Sequence, residues 1–353
     1  MLRTNSGGPL LSFANIGDQM IRMSRKGILV TGGAGYIGSH VVRQLGEAGE
    51  RVVTLDNLSR GCRAAVLHGP LVIGDTGDRE LVLRTLREHE VDTVMHFAAY
   101  TIVPESVAEP LKYYANNTAS TCALLAACVT AGVAHFVFSS TAAVYGIPPG
   151  GVASEDTPTA PINPYGTSKL MSEWMLRDLS RACALRHVAL RYFNVAGSDP
   201  GGRIGQSTPQ ATLLTKVAVE HVVGKRPHIS IFGTDYPSPD GTGVRDYIHV
   251  EDLAAAHLCA LAYLRSGGAS ATLNCGYGHG YSVREVLRAV HRVSNQQLVV
   301  HEEARRAGDP PILIAKAERA RDLLRWRPRY DDLDQIVRDA LNWERKLLRA
   351  PGA

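Results

Sequence analysis

Long apolar runs are missing from this 353-residue chain: no stretch approaches 18 consecutive apolar residues, so the sequence offers no membrane-crossing helix. Cysteine is scarce and unpatterned. The six cysteines (Cys62, Cys122, Cys128, Cys183, Cys259 and Cys275) form no Cys-x-x-Cys and no zinc-like spacing with the thirteen histidines. They read as reduced thiols of a cytoplasmic protein with no metal site and no disulfide framework. Charge of one sign is also lacking: 38 basic against 34 acidic residues leave a net +4 and no basic run. Neither nucleic acid nor an anionic membrane surface is therefore an expected partner. There is no internal repeat or low-complexity tract. Residues 1–25 contain no apolar segment of the secretory kind. Arg3, Arg22 and Arg25 against the single acid Asp18 give a faint likeness to a transit peptide. The preferred reading is a disordered tail or a mis-started chain, with Met20 or Met23 as the true start.

What is present is a regular alternation. Ile28–Thr31, Arg51–Leu55, Pro70–Ile73, Asp92–Phe97, His135–Ser139 and Val188–Phe193 read as strands. Their near-continuous apolar character suits a parallel sheet covered on both faces. Helical patterns lie between them, near 36–49, 78–89, 106–131 and 165–182. Such an order predicts an α/β fold with a doubly wound, Rossmann-type parallel sheet over residues 26–197. Beyond 197 the strands shorten and loops rich in Gly and Pro appear, with helices near 209–224, 251–265, 282–294 and 331–348. Residues 198–353 are expected to form mainly a smaller mixed lobe, with some segments returning to the first unit. The lobe would close over the carboxyl ends of the parallel strands.

Directly after the first strand stands Thr31-Gly32-Gly33-Ala34-Gly35-Tyr36-Ile37-Gly38, in which Gly33, Gly35 and Gly38 satisfy Gly-x-Gly-x-x-Gly. Glycines there allow a tight turn, close approach to a pyrophosphate and close helix–strand packing, while the following helix offers free N–H groups to the anion. The second strand ends at Asp56, followed by Asn57. A carboxylate at that point accepts bonds from ribose hydroxyls and repels a 2′-phosphate, which favours NAD over NADP. Asp75, after the third strand, suits either an adenine contact or a strand-end cap.

Tyr165 and Lys169, four apart, share one face of a predicted helix that starts near Pro164. The run Phe138 to Gly146 ends a strand 24 residues before Tyr165. Taking a hydroxyl proton while hydride leaves the same carbon needs a base, and free tyrosine ionises too high, near 10. A nearby ammonium and a positive nicotinamide would favour phenolate by about 1–3 units. Thr141 is placed to orient the same hydroxyl, or else to cap its strand end.

Tyr-x-x-x-Lys together with Thr31-Gly32-x-x-Gly35-x-x-Gly38 resembles the extended short-chain dehydrogenase/reductase superfamily. Within it the chain is similar to the UDP-glucose 4-epimerase family over nearly everything from residue 26 onward. His96–Ala99, Pro104–Val107, Tyr113–Asn117, Tyr165–Leu170, Leu190–Asn194, Ile231–Pro237 and Gly243–Val250 carry that likeness. It implies Thr141, Tyr165 and Lys169 as the catalytic set. It implies an NAD site made by Gly32, Gly35, Tyr36, Ile37, Gly38, Asp56, Asn57, Asp75, Thr76, Phe97, Ala98, Ala99, Asn117, Tyr165, Lys169 and Tyr192. UDP-sugar would meet Thr141, Asn194, Thr212, Arg245, Arg306, Asp309 and Leu313, with arginine forks on the phosphates. It further implies a homodimer joined through helices 106–131 and 165–182, and interconversion of UDP-glucose and UDP-galactose through a 4-keto sugar on retained NAD. Departures from the family pattern are Gln210-Ala211-Thr212-Leu213 in the substrate loop and Thr101 after the fourth strand. Leu313 stands where the family varies from Tyr to Cys or Ser, which leaves N-acetylhexosamine and pentose substrates open. Ala142 and Ala143 follow Thr141, so the acid/base pair of a 4,6-dehydratase has no counterpart. A dehydrogenase exchanging its cofactor is disfavoured by the UDP-site likeness. A silent NAD sensor would be expected to lose Tyr165 or Lys169.

Overall fold

The computed structural model describes residues 26–208 and 211–349. The expected tail 1–25 and the departure at Gln210 lie outside the described residues. In chain order the elements of the first part are β1 (Gly27–Thr31), α1 (Tyr36–Glu47), β2 (Val52–Asp56), β3 (Leu71–Ile73), α2 (Arg79–Glu88) and β4 (Val91–His96). Then come α3 (Val103–Ala108), α4 (Pro110–Tyr113), a π-helical segment Tyr114–Ala119, and α5 (Ser120–Ala131). They are followed by β5 (His135–Thr141), β6 (Val152–Ala153), α6 (Pro164–Ala182), β7 (Arg186–Tyr192) and β8 (Asn194–Ala196). The second part holds α7 (Leu214–Val222), β9 (Ile229–Phe232), β10 (Val244–Arg245), β11 (Tyr247–His249), α8 (Val250–Arg265), β12 (Ala271–Cys275) and β13 (Tyr281–Ser282). It ends with α9 (Val283–Ser294), β14 (Val300–Glu303), β15 (Ile312–Ala315), α10 (Glu318–Leu323) and α11 (Leu333–Arg349).

Seven strands form one sheet in the order β12-β7-β5-β4-β1-β2-β3, and every pair in it is parallel. Alternate residues of each strand serve opposite faces. Ile28, Val30, Met95, Val137, Val188 and Leu190 join one core with α1, α8, α9 and α11. Leu29, Val53, Leu55, Val94, Phe136 and Phe138 join another with α2, α5 and α6. Both faces are buried, which is why the strands read as unbroken apolar runs. Each such side chain contributes about 1.5–3 kcal/mol of transfer free energy. The doubly wound sheet is thus present, and strand order reverses between β1 and β4, where sheets of this kind open a crevice at their carboxyl ends.

Two segments cross between the halves of the chain. β12 returns from the second half to become the edge strand beside β7, in register Ala271 with Val188. Conversely β6 leaves the first half to pair with β15 in a four-stranded mixed sheet ordered β13-β10-β15-β6. The helix expected over 106–131 is interrupted. Glu109 breaks it ahead of Pro110, whose ring has no N–H to give, and the π-helical segment follows, placing Asn117 in the interior. No helix among the described residues is long and apolar enough to cross a membrane.

Candidate active site

The turn after β1 opens the crevice. Gly32 adopts φ +69°, and a Cβ on it would stand 2.5 Å from the backbone nitrogen of Ala98. α1 then begins without a side-chain cap: Gly35 has none to offer, and no acid occupies the first turn. Its leading N–H groups and positive dipole end are left for an anion. A Cβ on Gly35 would meet a single protein atom within 4 Å, the Gly32 carbonyl oxygen at 3.2 Å, because that side of the turn faces the cavity. At the end of β2 the buried Asp56 accepts from the N–H groups of Ala34 (3.0 Å) and Leu58 (2.8 Å). Its carboxylate is thereby aimed beside the turn, with lone pairs left for ribose hydroxyls. An uncapped helix N-terminus, a glycine cradle and a fixed carboxylate fit a dinucleotide without a 2′-phosphate.

Two cavities meet at that turn. The larger, about 360 Å³, is lined by Gly32, Gly35, Tyr36, Ile37, Gly38, Phe97, Ala99, Thr141, Tyr165, Tyr192, Asn194, Thr212, Arg245, Asp309 and Leu313. The smaller, about 100 Å³, is lined by Asp56, Asn57, Asp75, Thr76 and Ala98, and shares Gly32, Gly35, Phe97, Ala99, Tyr100 and Arg60 with the first. Asp75 lines this space and also caps the turn after β3, accepting from Gly77 N–H (2.7 Å) and from the Asn57 amide (3.1 Å).

Three of the expected residues line neither cavity. Asn117 is buried and its amide is spent inside the protein. It donates to the Tyr100 carbonyl (2.9 Å) and the Ser168 hydroxyl (3.1 Å), and accepts from Tyr100 N–H (2.9 Å). It ties the loop after β4 to α6. Lys169, also buried, donates to the carbonyl of Ser139 (3.0 Å) and lies 5.0 Å from the centre of the Phe138 ring. Arg306 lies over the ring of Phe232, 3.5 Å from its centre.

α6 brings in Tyr165 and Lys169. Asn163 caps it by accepting from Gly166 N–H (2.8 Å), and Pro164 occupies its first turn. Tyr165 therefore faces Thr141 at the end of β5. The protein's own share of that environment works against ionisation. Burial pushes the Tyr165 phenol above its ordinary range, and the hydrogen bond with Thr141 opposes that only in part. Burial likewise drives the Lys169 ammonium down to about 7, with Glu173 working against it. The polypeptide alone does not supply the depressed phenol, because desolvation of a buried phenolate outweighs its local partners.

The sequence reading missed Ser139, Arg60 and Phe193, which also line the larger cavity. The Ser139 hydroxyl is 2.5 Å from that of Tyr192. A signal for it existed, since it lies two residues before Thr141 on one strand and so shares its face. Arg60, which reaches Glu105 at 3.5 Å across the mouth, belongs to a separate loop and left no such signal.

A family model described as NAD dependent epimerase/dehydratase family matches residues 28–276. A UDP-glucose 4-epimerase of Azospirillum brasilense is 58% identical over 326 residues, 92% of this chain and 94% of that protein. The crystal structure of UDP-glucose 4-epimerase from Brucella ovis in complex with NAD superposes with TM-score 0.87 at 42% identity, covering 90% of this chain and 98% of the other. The UDP-Glc/GlcNAc 4-epimerase of Campylobacter jejuni gives TM-score 0.79 at 47% identity, covering 91% and 100%.

Proposed function

This chain belongs to the NAD dependent epimerase/dehydratase family, and from that premise we propose that it interconverts UDP-glucose and UDP-galactose by 4-epimerisation, with NAD as the retained cofactor. One observation carries the reading. The uncapped start of α1, the Thr141–Tyr165 pair and the Arg245–Asp309–Leu313 wall line a single cavity, so a dinucleotide and a nucleotide sugar meet at one phenol.

Gly32, Gly35, Tyr36, Ile37 and Gly38 would hold the diphosphate of NAD, Asp56 and Asn57 its adenosine ribose, and Phe97 and Tyr192 the nicotinamide end. Held there, NAD would supply the hydride acceptor and donor for chemistry at C4 of the sugar. Tyr165 takes the O4 proton and gives it back, and Thr141 orients that hydroxyl. Lys169 supplies positive charge behind the phenol and would hold the nicotinamide ribose. Asn194, Thr212, Arg245, Arg306 and Asp309 would grip UDP. Around the hexose the lining includes Ala142, Ala143, Phe193 and Leu313, which offer few polar holds. That contrast supports a tightly held nucleotide and a sugar free to turn, with remote binding energy securing the oxidised intermediate. Ala142 and Ala143 beside Thr141 leave no acid/base pair there for a dehydratase.

The same reading places the protein in the cytoplasm as a homodimer. Support comes from the six free cysteines and from exposed apolar side chains on the helices named for the interface, among them Val107, Leu111 and Trp174. The test is proton NMR of UDP-galactose mixed with purified protein, no NAD added, with UDP-N-acetylgalactosamine in a parallel tube. UDP-glucose signals establish epimerisation on retained cofactor, and the parallel tube decides whether Leu313 admits an acetamido group. No change in either tube after NAD is supplied refutes the glucose/galactose reading.

A further inference from the structure

Tyr165, Lys169 and Glu173 are spaced four and four along α6, so their side chains stack on one helix face. Glu173 is only 6% exposed and meets the equally buried Arg191 of β7 in a two-pronged pair. Nε donates to Oε1 at 2.9 Å and Nη2 to Oε2 at 2.5 Å. The hydroxyl of Ser140 donates to the same carboxylate. Arg191 Nη1 donates to the Tyr145 hydroxyl (2.9 Å), which donates to Asn274 Oδ1 (2.6 Å). Asn274 in turn donates to the carbonyl of Ala153 (2.8 Å), at the edge of the mixed sheet. Glu173, Arg191 and Ser140 do not line the cavity, but Ser140 and Arg191, which Glu173 holds, are chain neighbours of residues that do. Ser140 precedes Thr141, Arg191 precedes Tyr192, and Tyr145 ends the turn that follows Thr141.

A buried ion pair is a poor source of stability, since desolvation offsets its attraction and an apolar pair of equal shape often serves as well. Its position behind two cavity residues, Thr141 and Tyr192, calls for another account. We infer that Glu173 and Arg191 are positioning residues for the epimerisation: they hold Thr141 and Tyr192 in register with α6 and set one carboxylate charge a helical turn from the Lys169 ammonium.

Glu173 is the group that opposes the effect of burial on Lys169. The other titratable groups around the Tyr165–Lys169 pair cannot replace it. His96 of β4 is held neutral, driven down to about 3 by burial first and the Lys169 charge second. Tyr113 of α4 and Tyr192 of β7 are pushed above their ordinary range by burial. At neutral pH none of these carries negative charge, which leaves Glu173 as the anion facing Lys169 among the described residues.

The consequence follows from proton counting, and it rests on the reading of Tyr165 as the base. Phenolate with ammonium and phenol with amine contain the same number of protons, and only the first is active. Removing the Glu173 charge tilts that pair toward phenol with amine, and it also lets the first proton leave at lower pH. A site merely loosened would lose turnover without that shift.

The experiment uses NAD-loaded wild type, Glu173→Gln, and Glu173→Gln with Arg191→Gln, the last because it leaves no buried guanidinium without its partner. Glu173→Asp keeps the charge and serves as rescue. kcat is followed by NMR across pH, and Tyr165 ionisation is read from near-ultraviolet tyrosinate absorbance of each protein minus its Tyr165→Phe derivative. The expected result is a fall in plateau kcat of about tenfold or more, an acid limb shifted down by about one unit, and a smaller tyrosinate signal at neutral pH. Glu173→Asp should restore limb and signal while kcat stays partly reduced. An unmoved limb and an unchanged signal, in whichever glutamine variant folds, overturn the proposal. The absorbance arm needs no turnover, so a wild type inactive on UDP-galactose would refute the substrate reading and leave this test standing.

Discussion

Gly35 and Gly38 stand three residues apart in one turn, and alanine at the two positions should fail in opposite ways. At Gly38 a Cβ would lie 2.2 Å from the Gly32 carbonyl oxygen, 2.9 Å from its carbon and 2.9 Å from Gly33 Cα, all backbone of the same turn. Relief requires that turn and α1 to separate by about 1 Å, and overpacking of this kind costs about 1–3 kcal/mol. Gly38→Ala should therefore lower the melting temperature of the cofactor-stripped protein. A cradle displaced by about 1 Å also misplaces bound groups, with losses of the order of a hundredfold. At Gly35 the added Cβ meets one protein atom, the Gly32 oxygen at 3.2 Å, and φ is −80°, which alanine adopts freely. The stripped Gly35→Ala protein should melt as wild type does. The methyl nevertheless projects to where, on the proposed reading, the diphosphate would approach the α1 N–H groups. Losing one such charge-assisted bond costs about 1.5–3 kcal/mol, roughly 10- to 150-fold in NAD affinity. Calorimetric NAD titration and thermal melts of stripped proteins measure both quantities. Wild-type NAD affinity in Gly35→Ala, or an unchanged melt in Gly38→Ala, would refute this division of labour.

Four further outcomes are expected. Tyr165→Phe should lower turnover by about 10²–10⁴-fold while NAD content and melting temperature stay as in wild type, by single-turnover NMR and absorbance. Leu313→Cys should raise the ratio of kcat/KM for UDP-N-acetylgalactosamine over UDP-galactose about tenfold, by widening the wall beside Phe193. Glu251, in the first turn of α8, answers to pH. Burial would raise its carboxyl, but the hydrogen bond to His40 and the Arg43 charge outweigh that and hold it near 2, against an ordinary 4.5. A depressed carboxylate stabilises above about 4.5, and that contribution is lost as pH falls toward 2. The melting-temperature gap between wild type and Glu251→Gln, worth about 3–5 kcal/mol at neutral pH, should therefore narrow across that window. Last, Leu111→Glu combined with Trp174→Glu should convert a dimer to monomer in sedimentation velocity, both side chains being exposed in the single chain.

The parts of the fold that could be read beforehand are those whose signal is local. Strands β1, β2, β4, β5 and β7 announced themselves because both faces are buried, and their expected limits lie within two residues of those observed. α6 carried its own start signal, Pro164, and the four-residue spacing that puts Tyr165 and Lys169 together. β12 was not legible. Ala271–Cys275 holds Thr272 and Asn274 among three other residues, and it becomes an edge strand through pairing with β7, some 80 positions earlier. The break in the helix over 106–131 was marked by Pro110, but the π-helical segment was not, because its purpose is a tertiary one: Asn117 must reach Tyr100.

For the site the division runs along the same line. Residue types, spacing and the order of strand, glycine turn and helix already determined a dinucleotide-type turn and a Tyr–Lys pair on one helix face, since those motifs work through backbone geometry within one short segment. Tertiary structure decided what depends on distance between segments. It put Lys169 on the Ser139 carbonyl and not in the cavity wall. It buried Tyr165, so that the protein's own groups raise the phenol and leave its lowering to a bound positive nicotinamide. It also placed Glu173 and Arg191, 18 residues apart in the chain, as one buried couple behind Thr141 and Tyr192. Desolvation and charge pairing are properties of packed neighbours, and neighbours are set only when the chain has folded.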